Sequence, residues 1–86
     1  MYYAYIVRCR DGTFYAGWTD DLEKRIDAHN KGKGGRYTRS HRPVELVYSE
    51  RFNSKNEAMS QEWAIKKMTR SAKIRLIKMQ NPEERI

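Results

Sequence analysis

Five side chains of this 86-residue sequence have types and an order suited to phosphodiester chemistry. They are two tyrosines, an arginine and a histidine four positions apart, and a later glutamate: Tyr5, Tyr15, Arg25, His29 and Glu62. The tyrosines and the histidine are potential proton carriers. The planar fork of an arginine can donate to phosphate oxygens in pairs, and a glutamate can bind a hard divalent cation such as Mg²⁺.

Each of these residues taken alone has an ordinary structural explanation. A tyrosine in a strand is usually a packing residue, and an arginine and a histidine four apart usually lie on a helix surface. A glutamate on a helix usually faces water. Only their joint occurrence favours a site, so the elements that carry them decide whether they meet.

A β-hairpin is predicted at the N-terminus. Aromatic and β-branched residues are concentrated in 2–8 and 13–18, and Asp11-Gly12 between them is a turn signal. We predict a three-residue loop, residues 10–12, in which Gly12 adopts a left-handed conformation.

The loop length decides whether the two tyrosines share a face of the sheet. A three-residue loop sets Tyr5 opposite Gly17 and Tyr15 opposite Val7, which makes the tyrosines diagonal neighbours on one face. A two-residue loop would place them on opposite faces, since a shift in register turns the side chains over.

A first helix is predicted after the hairpin. Asp20 can cap it with Glu23 at the third position, and apolar residues then recur at helical spacing until Gly32 closes the helix. Because Arg25 and His29 are four apart, they should stand one above the other at the border between core and solvent.

The middle of the chain is predicted to be a loop followed by a strand. Residues 32–43 are rich in glycine and charge and have no apolar period, which is typical of an exposed, mobile loop. Residues 44–52 alternate, as expected of a third strand. The residues expected on its apolar face are Val44, Leu46, Tyr48 and Phe52.

Two more helices complete the predicted fold. A capping box at Ser54 opens a helix in which Glu62 lies inside an apolar stripe. Thr69 or Ser71 can begin a last helix that runs to about Met79.

Together these elements predict an α/β domain of the α+β type, with a small three-stranded antiparallel sheet flanked by about three helices in the order β-β-α-β-α-α. One domain over residues 1–80 and a polar C-terminal tail, 81–86, are expected.

Charge predicts the class of partner. Lys plus Arg number 18 and Asp plus Glu 11, which gives a net charge of +7 and suggests a polyanionic partner. Residues 31–42 hold five basic side chains and 66–78 hold six, with no acidic residue in either segment. Such runs can also be solvated surface alone.

Cysteine usage and hydropathy predict the compartment. Cys9 is the single cysteine, so no intrachain disulfide can form, which favours a reducing cytoplasm. The sequence has no leader-like apolar stretch and no run as long as a membrane span, so neither secretion nor a membrane partner is expected.

The five residues lie in segments that resemble the motifs of the GIY-YIG nuclease superfamily. More narrowly, the chain is similar to the short stand-alone bacterial members (UPF0213-like), which are related to the Slx1-type nuclease domain. The matching segments are Ala4-Tyr5-Ile6, Tyr15-Ala16-Gly17, Leu22-Glu23-Lys24-Arg25, Ala28-His29-Asn30 and Gln61-Glu62-Trp63. Many members carry an Asn about a dozen residues after the glutamate, where this sequence has Ile74.

The resemblance implies a metal-dependent endonuclease that hydrolyses phosphodiester bonds of DNA, with a structure-specific, repair-related role. Catalytic roles would fall to Tyr5, Tyr15, Arg25 and His29, and Glu62 would hold Mg²⁺ or Mn²⁺. The nucleic-acid contacts are expected at Trp18, Lys24, Lys31, Lys33, Arg36, Arg39 and Arg42. DNA is favoured over RNA, a monomer over an oligomer, and specificity could come from a protein partner.

The general base stays open among Tyr5, Tyr15 and His29. Bringing a tyrosine from a pKa near 10 to about 7 requires about 4 kcal/mol, which Mg²⁺ and Arg25 could supply. A histidine needs no such shift, so unaided chemistry favours His29 while the resemblance favours Tyr5.

Two alternatives to an active nuclease also stay open. The missing Asn and the basic surface fit a nucleic-acid-binding module of the same fold, catalytically weak or inactive. An apolar face around Met59 and Trp63 would instead fit a protein-interaction adaptor.

Overall fold

A computed structural model describes residues 1–83 and shows a three-stranded antiparallel sheet with helices on both faces. The elements are β1 (Tyr2–Arg8), β2 (Phe14–Thr19), α1 (Leu22–Asn30), α2 (Arg36–Ser40), β3 (Glu45–Phe52), α3 (Lys55–Lys66) and α4 (Arg70–Gln80). The strands lie in the order β2-β1-β3. The predicted α+β class and sheet are confirmed. Residues 84–86 of the expected tail lie outside the described residues.

The β1–β2 hairpin has the predicted loop and register. The amide of Cys9 donates to the carbonyl of Thr13 at 2.8 Å, and Gly12 N donates to Cys9 O at 2.9 Å. Gly12 has a φ of 87°, a left-handed conformation that favours glycine. Tyr5 pairs with Gly17, and Tyr15 with Val7, so both tyrosines face the same side of the sheet.

Helix α1 begins one residue later than predicted. Its cap is Asp21 and not Asp20: the Asp21 carboxylate accepts a hydrogen bond from Lys24 N at 3.1 Å. The choice between the two aspartates is made by the chain before them, because Thr19 Oγ1 accepts from Asp21 N at 3.1 Å and brings that residue to the helix start.

A β-bulge corrects the predicted face of β3. Tyr48 pairs with Ile6 but Leu46 pairs with Val7, so the alternation shifts between them and Val47 is buried. Leu46 is 40% exposed and lies on the other face from Tyr48. The prediction that Leu46 and Tyr48 share a face is therefore wrong.

Residues 32–43 were predicted to be an exposed loop, but they contain α2. Within this segment Gly34 and Thr38 are buried, and α2 packs against α1. The short helix has no apolar period because Thr38, the buried side chain among those described in it, is polar.

The caps of α3 and α4 are those predicted. The Ser54 hydroxyl accepts from Glu57 N at 3.2 Å, and the Thr69 hydroxyl, not that of Ser71, accepts from Ala72 N at 3.2 Å. None of the helices in residues 1–83 is both long and apolar enough to span a membrane.

The sheet separates two clusters of buried side chains. One cluster lies under α3 and α4 and consists of Ala4, Ile6, Ala16, Val47, Tyr48, Ile65 and Ile77. The other lies under α1 and consists of Tyr5, Val7, Cys9 and Val44, with Tyr15, Leu22 and Ile26 packed against it. The second face carries four of the five predicted site residues.

Candidate active site

Tyr5 and His29 form a buried pair between β1 and α1. The Tyr5 hydroxyl lies 2.9 Å from Nε2 of His29, and both residues are 0% exposed. The predicted position of His29 at the border with solvent is therefore wrong, because α2 and the loop before it cover the ring. The predicted sharing of a face by Tyr5 and Tyr15 places both rings against His29, with centroids 5.9 and 5.5 Å away.

Thr38 extends this pair into a chain of hydrogen bonds. Its hydroxyl lies 2.7 Å from Nδ1 of His29, and Thr38 is also 0% exposed. The Thr38 hydroxyl in turn donates to the carbonyl of Gly35 at 3.5 Å.

The order of donors follows from counting protons. If Thr38 donates to Gly35 O, then His29 Nδ1–H donates to Thr38 and the Tyr5 hydroxyl donates to the free His29 Nε2. The opposite tautomer would leave the Tyr5 proton without an acceptor among the residues the structure describes. We therefore assign the proton of His29 to Nδ1.

Arg25 connects the buried chain to the surface. Its Nε donates to the Tyr5 hydroxyl at 3.4 Å, and its Nη2 donates to Gly34 O at 2.8 Å. Arg25 is partly exposed and also lines a cleft that opens to solvent. Two of its five N–H donors are used in these bonds, and the rest suit the oxygens of a phosphate.

Two glycines allow the rings to pack against the backbone. A Cβ atom at Gly17 would lie 2.4 Å from the Tyr5 hydroxyl, and one at Gly34 would lie 2.1 Å from Nδ1 of His29 and 2.6 Å from its Cα. Neither position has room for a side chain. The glycines therefore hold Tyr5 and His29 close to β2 and to the loop before α2.

The burial sets the protonation states of the pair. Burial, aided by the positive charge of Arg25, lowers the pKa of His29 to about 4. Burial raises the pKa of Tyr5, against the hydrogen bond and charge of Arg25, and the charges of Tyr15 and Glu62 raise it further. At neutral pH His29 is uncharged and Tyr5 keeps its proton.

Tyr15 is the tyrosine of the site that reaches the surface. It is partly exposed, and its ring lies between those of His29 and Tyr37, the latter stacked at 6.2 Å. A Cβ atom at Gly35 would lie 3.9 Å from the Tyr15 hydroxyl. That hydroxyl makes no hydrogen bond to the described part of the protein, so it can meet a water or a ligand.

Glu62 lies apart from the other four residues. It is in α3, its side chain is 21% exposed, and its Oε2 lies 3.8 Å from Nζ of Lys66. Its charge contributes to the raised pKa of Tyr5, but it makes no hydrogen bond to the other four within residues 1–83. Over the same residues no group of three or more His, Cys, Asp or Glu could hold a metal ion.

The predicted nucleic-acid contacts are mostly exposed cations. Trp18 is partly buried in β2, with Nζ of Lys55 5.3 Å from its ring centroid. Lys31 forms an ion pair with Asp27, with Nζ 2.9 Å from Oδ2. The exposed members are Lys24, Lys31, Lys33, Arg39 and Arg42, whereas the side chain of Arg36 lies outside the described residues.

Thr38 and Gly34 are the residues that the sequence prediction missed. The signal that could have found them is the pair Gly34-Gly35 with a threonine three residues later, because adjacent glycines permit close backbone approach. Asn30 and Asn81 have structural roles: Asn30 bonds both backbone groups of Val44, and Asn81 Nδ2 donates to Val47 O. Asn81 is therefore engaged in holding α4 to β3.

Comparisons with known proteins identify the family of the chain. A family model described as the GIY-YIG catalytic domain matches residues 1–75. The chain is 52% identical to a UPF0213 protein of Clostridium perfringens over 98% of this chain and 90% of the relative, and 50% identical to one of Streptococcus agalactiae over 95% and 93%.

Solved structures give the same result. The solution NMR structure of a UPF0213 protein from Bacillus halodurans is 42% identical, covers 92% of this chain and 85% of its own, and has a TM-score of 0.60. A solution NMR structure of a protein from E. faecalis is 38% identical over 99% and 91%, with a TM-score of 0.62. The matched domain supports a nuclease-type function, and a nuclease domain implies nucleic-acid binding. The chain belongs to the GIY-YIG catalytic-domain family.

Proposed function

We propose that this protein is a metal-dependent endonuclease that hydrolyses phosphodiester bonds of DNA. The observation that carries the proposal is the fixed guanidinium of Arg25, held by Tyr5 and Gly34 at the edge of a buried hydrogen-bonded chain. A rigid cation with spare donors at the surface is suited to a phosphate that gains negative charge during hydrolysis.

Arg25 binds the scissile phosphate in this proposal. Its position costs little reorganisation, because Gly34 O and the Tyr5 hydroxyl already orient its fork. Donors that are fixed before the reaction stabilise developing charge better than donors that must move. Lysine at this position would keep the charge but lose the paired donors.

Tyr5, His29 and Thr38 act as positioning residues for Arg25. They have no exposed surface, and Nε2 of the neutral His29 accepts a hydrogen bond from the Tyr5 hydroxyl. Because the pKa of Tyr5 is raised, a phenolate at Tyr5 is disfavoured at neutral pH. We therefore assign contact with the attacking water to the partly exposed Tyr15.

Glu62 is the proposed holder of the divalent cation, and GIY-YIG nucleases are generally metal-dependent. A single, partly exposed carboxylate fits Mg²⁺, which takes few protein ligands and keeps several waters. When bound, such a cation would offset negative charge on the phosphate and lower the pKa of a coordinated water. Lys66 is the residue that competes for the carboxylate in its absence.

DNA binding is assigned to the exposed cations of the α1–α2 region, which suit phosphates and carry no base readout. We propose a branched, flapped or single-stranded DNA substrate in repair, in the cytoplasm, with any sequence preference supplied by a partner.

A catalytically weak nucleic-acid-binding module is the second candidate. The full burial of Tyr5 and His29 favours it, as does the finding that residues 1–83 hold no group of three or more His, Cys, Asp or Glu that could bind a metal ion. A binding module would keep its affinity for DNA when Glu62 is changed and would show no turnover in the parent protein.

Cleavage of labelled single-stranded, duplex and flapped DNA tests the proposal, with Mg²⁺, Mn²⁺ or EDTA. We expect cutting with either cation, none with EDTA, and a loss of roughly 100-fold in Glu62→Gln. Glu57→Gln, in the first turn of the same helix, is the matched control and should cut at the parent rate. Binding without cutting in all conditions would select the second candidate, and equal cutting by Glu62→Gln would place the metal elsewhere.

A further inference from the structure

A cleft that includes Arg25 extends beyond the residues used in the hydrolysis described above. It has a volume of about 510 Å³ and opens to solvent. Its lining residues are Tyr2, Trp18, Thr19, Asp20, Arg25 and Lys55. Since Arg25 belongs both to this cleft and to the hydrogen-bonded chain of the site, the cleft begins where the scissile phosphate would bind.

The lining combines two aromatic rings with an excess of positive charge. Trp18 and Tyr2 are partly exposed, and Nζ of Lys55 lies 5.3 Å from the Trp18 ring centroid. Lys55 makes no ion pair with a carboxylate in the described part of the chain. Asp20 is exposed and supplies the one negative charge, against the two cations Arg25 and Lys55.

This combination fits one nucleotide of a nucleic-acid strand. A base can stack on the indole of Trp18, and Lys55 can move from the ring face to the phosphate. A base inside a duplex has both faces covered by its neighbours, so the occupant must be unpaired. An anion without a ring would use the cations and leave Trp18 unused.

We propose that this cleft holds an unpaired base next to the scissile phosphate, so the substrate class is DNA with a single-stranded segment at the cut. That the bound strand is a substrate rests on the proposed nuclease function. Base binding in the cleft can be measured without cleavage. It adds Tyr2 and Lys55 to the residues that contact nucleic acid.

Tryptophan fluorescence in the Trp63→Phe protein tests the cleft, because the sequence has two tryptophans and this variant leaves Trp18 alone. Trp63 is 62% exposed, so its change should not disturb the fold. The probes are a short oligothymidylate and a blunt duplex. We expect saturable quenching by the single strand, and at least about 5-fold weaker binding of it by Trp18→Leu, measured by anisotropy of a labelled strand.

Lys55→Ala and Lys78→Ala remove the same charge from the cleft and from α4. In the Trp63→Phe background Lys55→Ala should weaken quenching several-fold more than Lys78→Ala, and Asp20→Asn should strengthen it. Equal quenching by strand and duplex, or equal effects of the two lysine variants, would overturn the proposal. Quenching without cleavage would support base binding in the cleft and contradict the nuclease function. Cleavage without quenching would support the nuclease function and overturn base binding in the cleft.

Discussion

Tyr5 and Ile6 are neighbours in β1, yet their side chains enter opposite faces of the sheet with different chemistry. Tyr5 joins a hydrogen-bonded chain through His29 and Thr38. Ile6 packs among apolar side chains that include Ile65 of α3. Both are 0% exposed, so burial alone does not distinguish the two faces.

The face that carries Ile6, called the apolar face here, contributes packing that stabilises the fold. Its buried cluster includes Tyr48, whose hydroxyl donates to Glu50 Oε1 at 2.5 Å and accepts from Gln61 Nε2 at 3.3 Å. Burial and the Glu50 carboxylate raise the pKa of Tyr48 to about 12, so it stays neutral.

The other face, which carries Tyr5 and is called the polar face here, has hydrogen-bonding groups in its interior. Arg25 connects these groups to the surface. Buried polar groups cost stability unless each finds a partner, and the described buried side chains all have one. The comparison suggests that the buried apolar cluster around Ile6 maintains the fold, while the buried chain from Tyr5 to Thr38 maintains the position of Arg25. Substitutions of buried side chains on the two faces should therefore separate stability from activity.

Ile65→Ala should have the largest effect on stability. Removing a buried isoleucine from the apolar face leaves a cavity and should cost about 2–5 kcal/mol of unfolding free energy. Chemical denaturation measures the loss, and Met59→Ala, on the exposed side of α3, is the control. Activity per folded molecule should be unchanged, and a fall in it would remove the distinction between the faces.

Thr38→Val should affect both stability and activity. It keeps the shape of the side chain but leaves Nδ1–H of His29 without its acceptor, at a cost of about 1–3 kcal/mol. Cleavage per folded molecule should fall as Arg25 loses its support, and Thr38→Ser should restore it. A valine variant with parental stability and rate would show that the hydrogen-bonded chain does not matter.

Acid should weaken the polar face through His29. The pKa of His29 is lowered to about 4 in the fold but lies near 6.5 when unfolded, so the unfolded state takes up the proton first. This contribution is complete above pH 6.5 and falls by about 1.4 kcal/mol per pH unit on acidification towards pH 4. Unfolding curves of the parent and His29→Gln should diverge in that window, whereas parallel curves would contradict the lowered pKa.

Local chemistry made much of the fold predictable from the sequence. The turn at Gly12 determined the hairpin register and hence the shared face of Tyr5 and Tyr15. The caps at Ser54 and Thr69 were also readable, because capping depends on residues within one turn.

Other features depend on contacts between distant segments. The bulge in β3 arises from its pairing with β1, so the alternation of 44–52 alone could not reveal it. Thr38 lies in a segment with no apolar period, and its burial depends on α2 packing over His29. For the same reason the sequence could not separate the buried Tyr5 from the partly exposed Tyr15 as candidate base.

Cleavage of flapped DNA by Arg25→Ala, measured beside its unfolding, tests the central claim most directly. The account predicts a rate at least about 100-fold lower than that of the parent, because one fixed donor group at the phosphate is lost, with cooperative unfolding retained. A parental rate in Arg25→Ala would contradict the claim that this guanidinium forms the site.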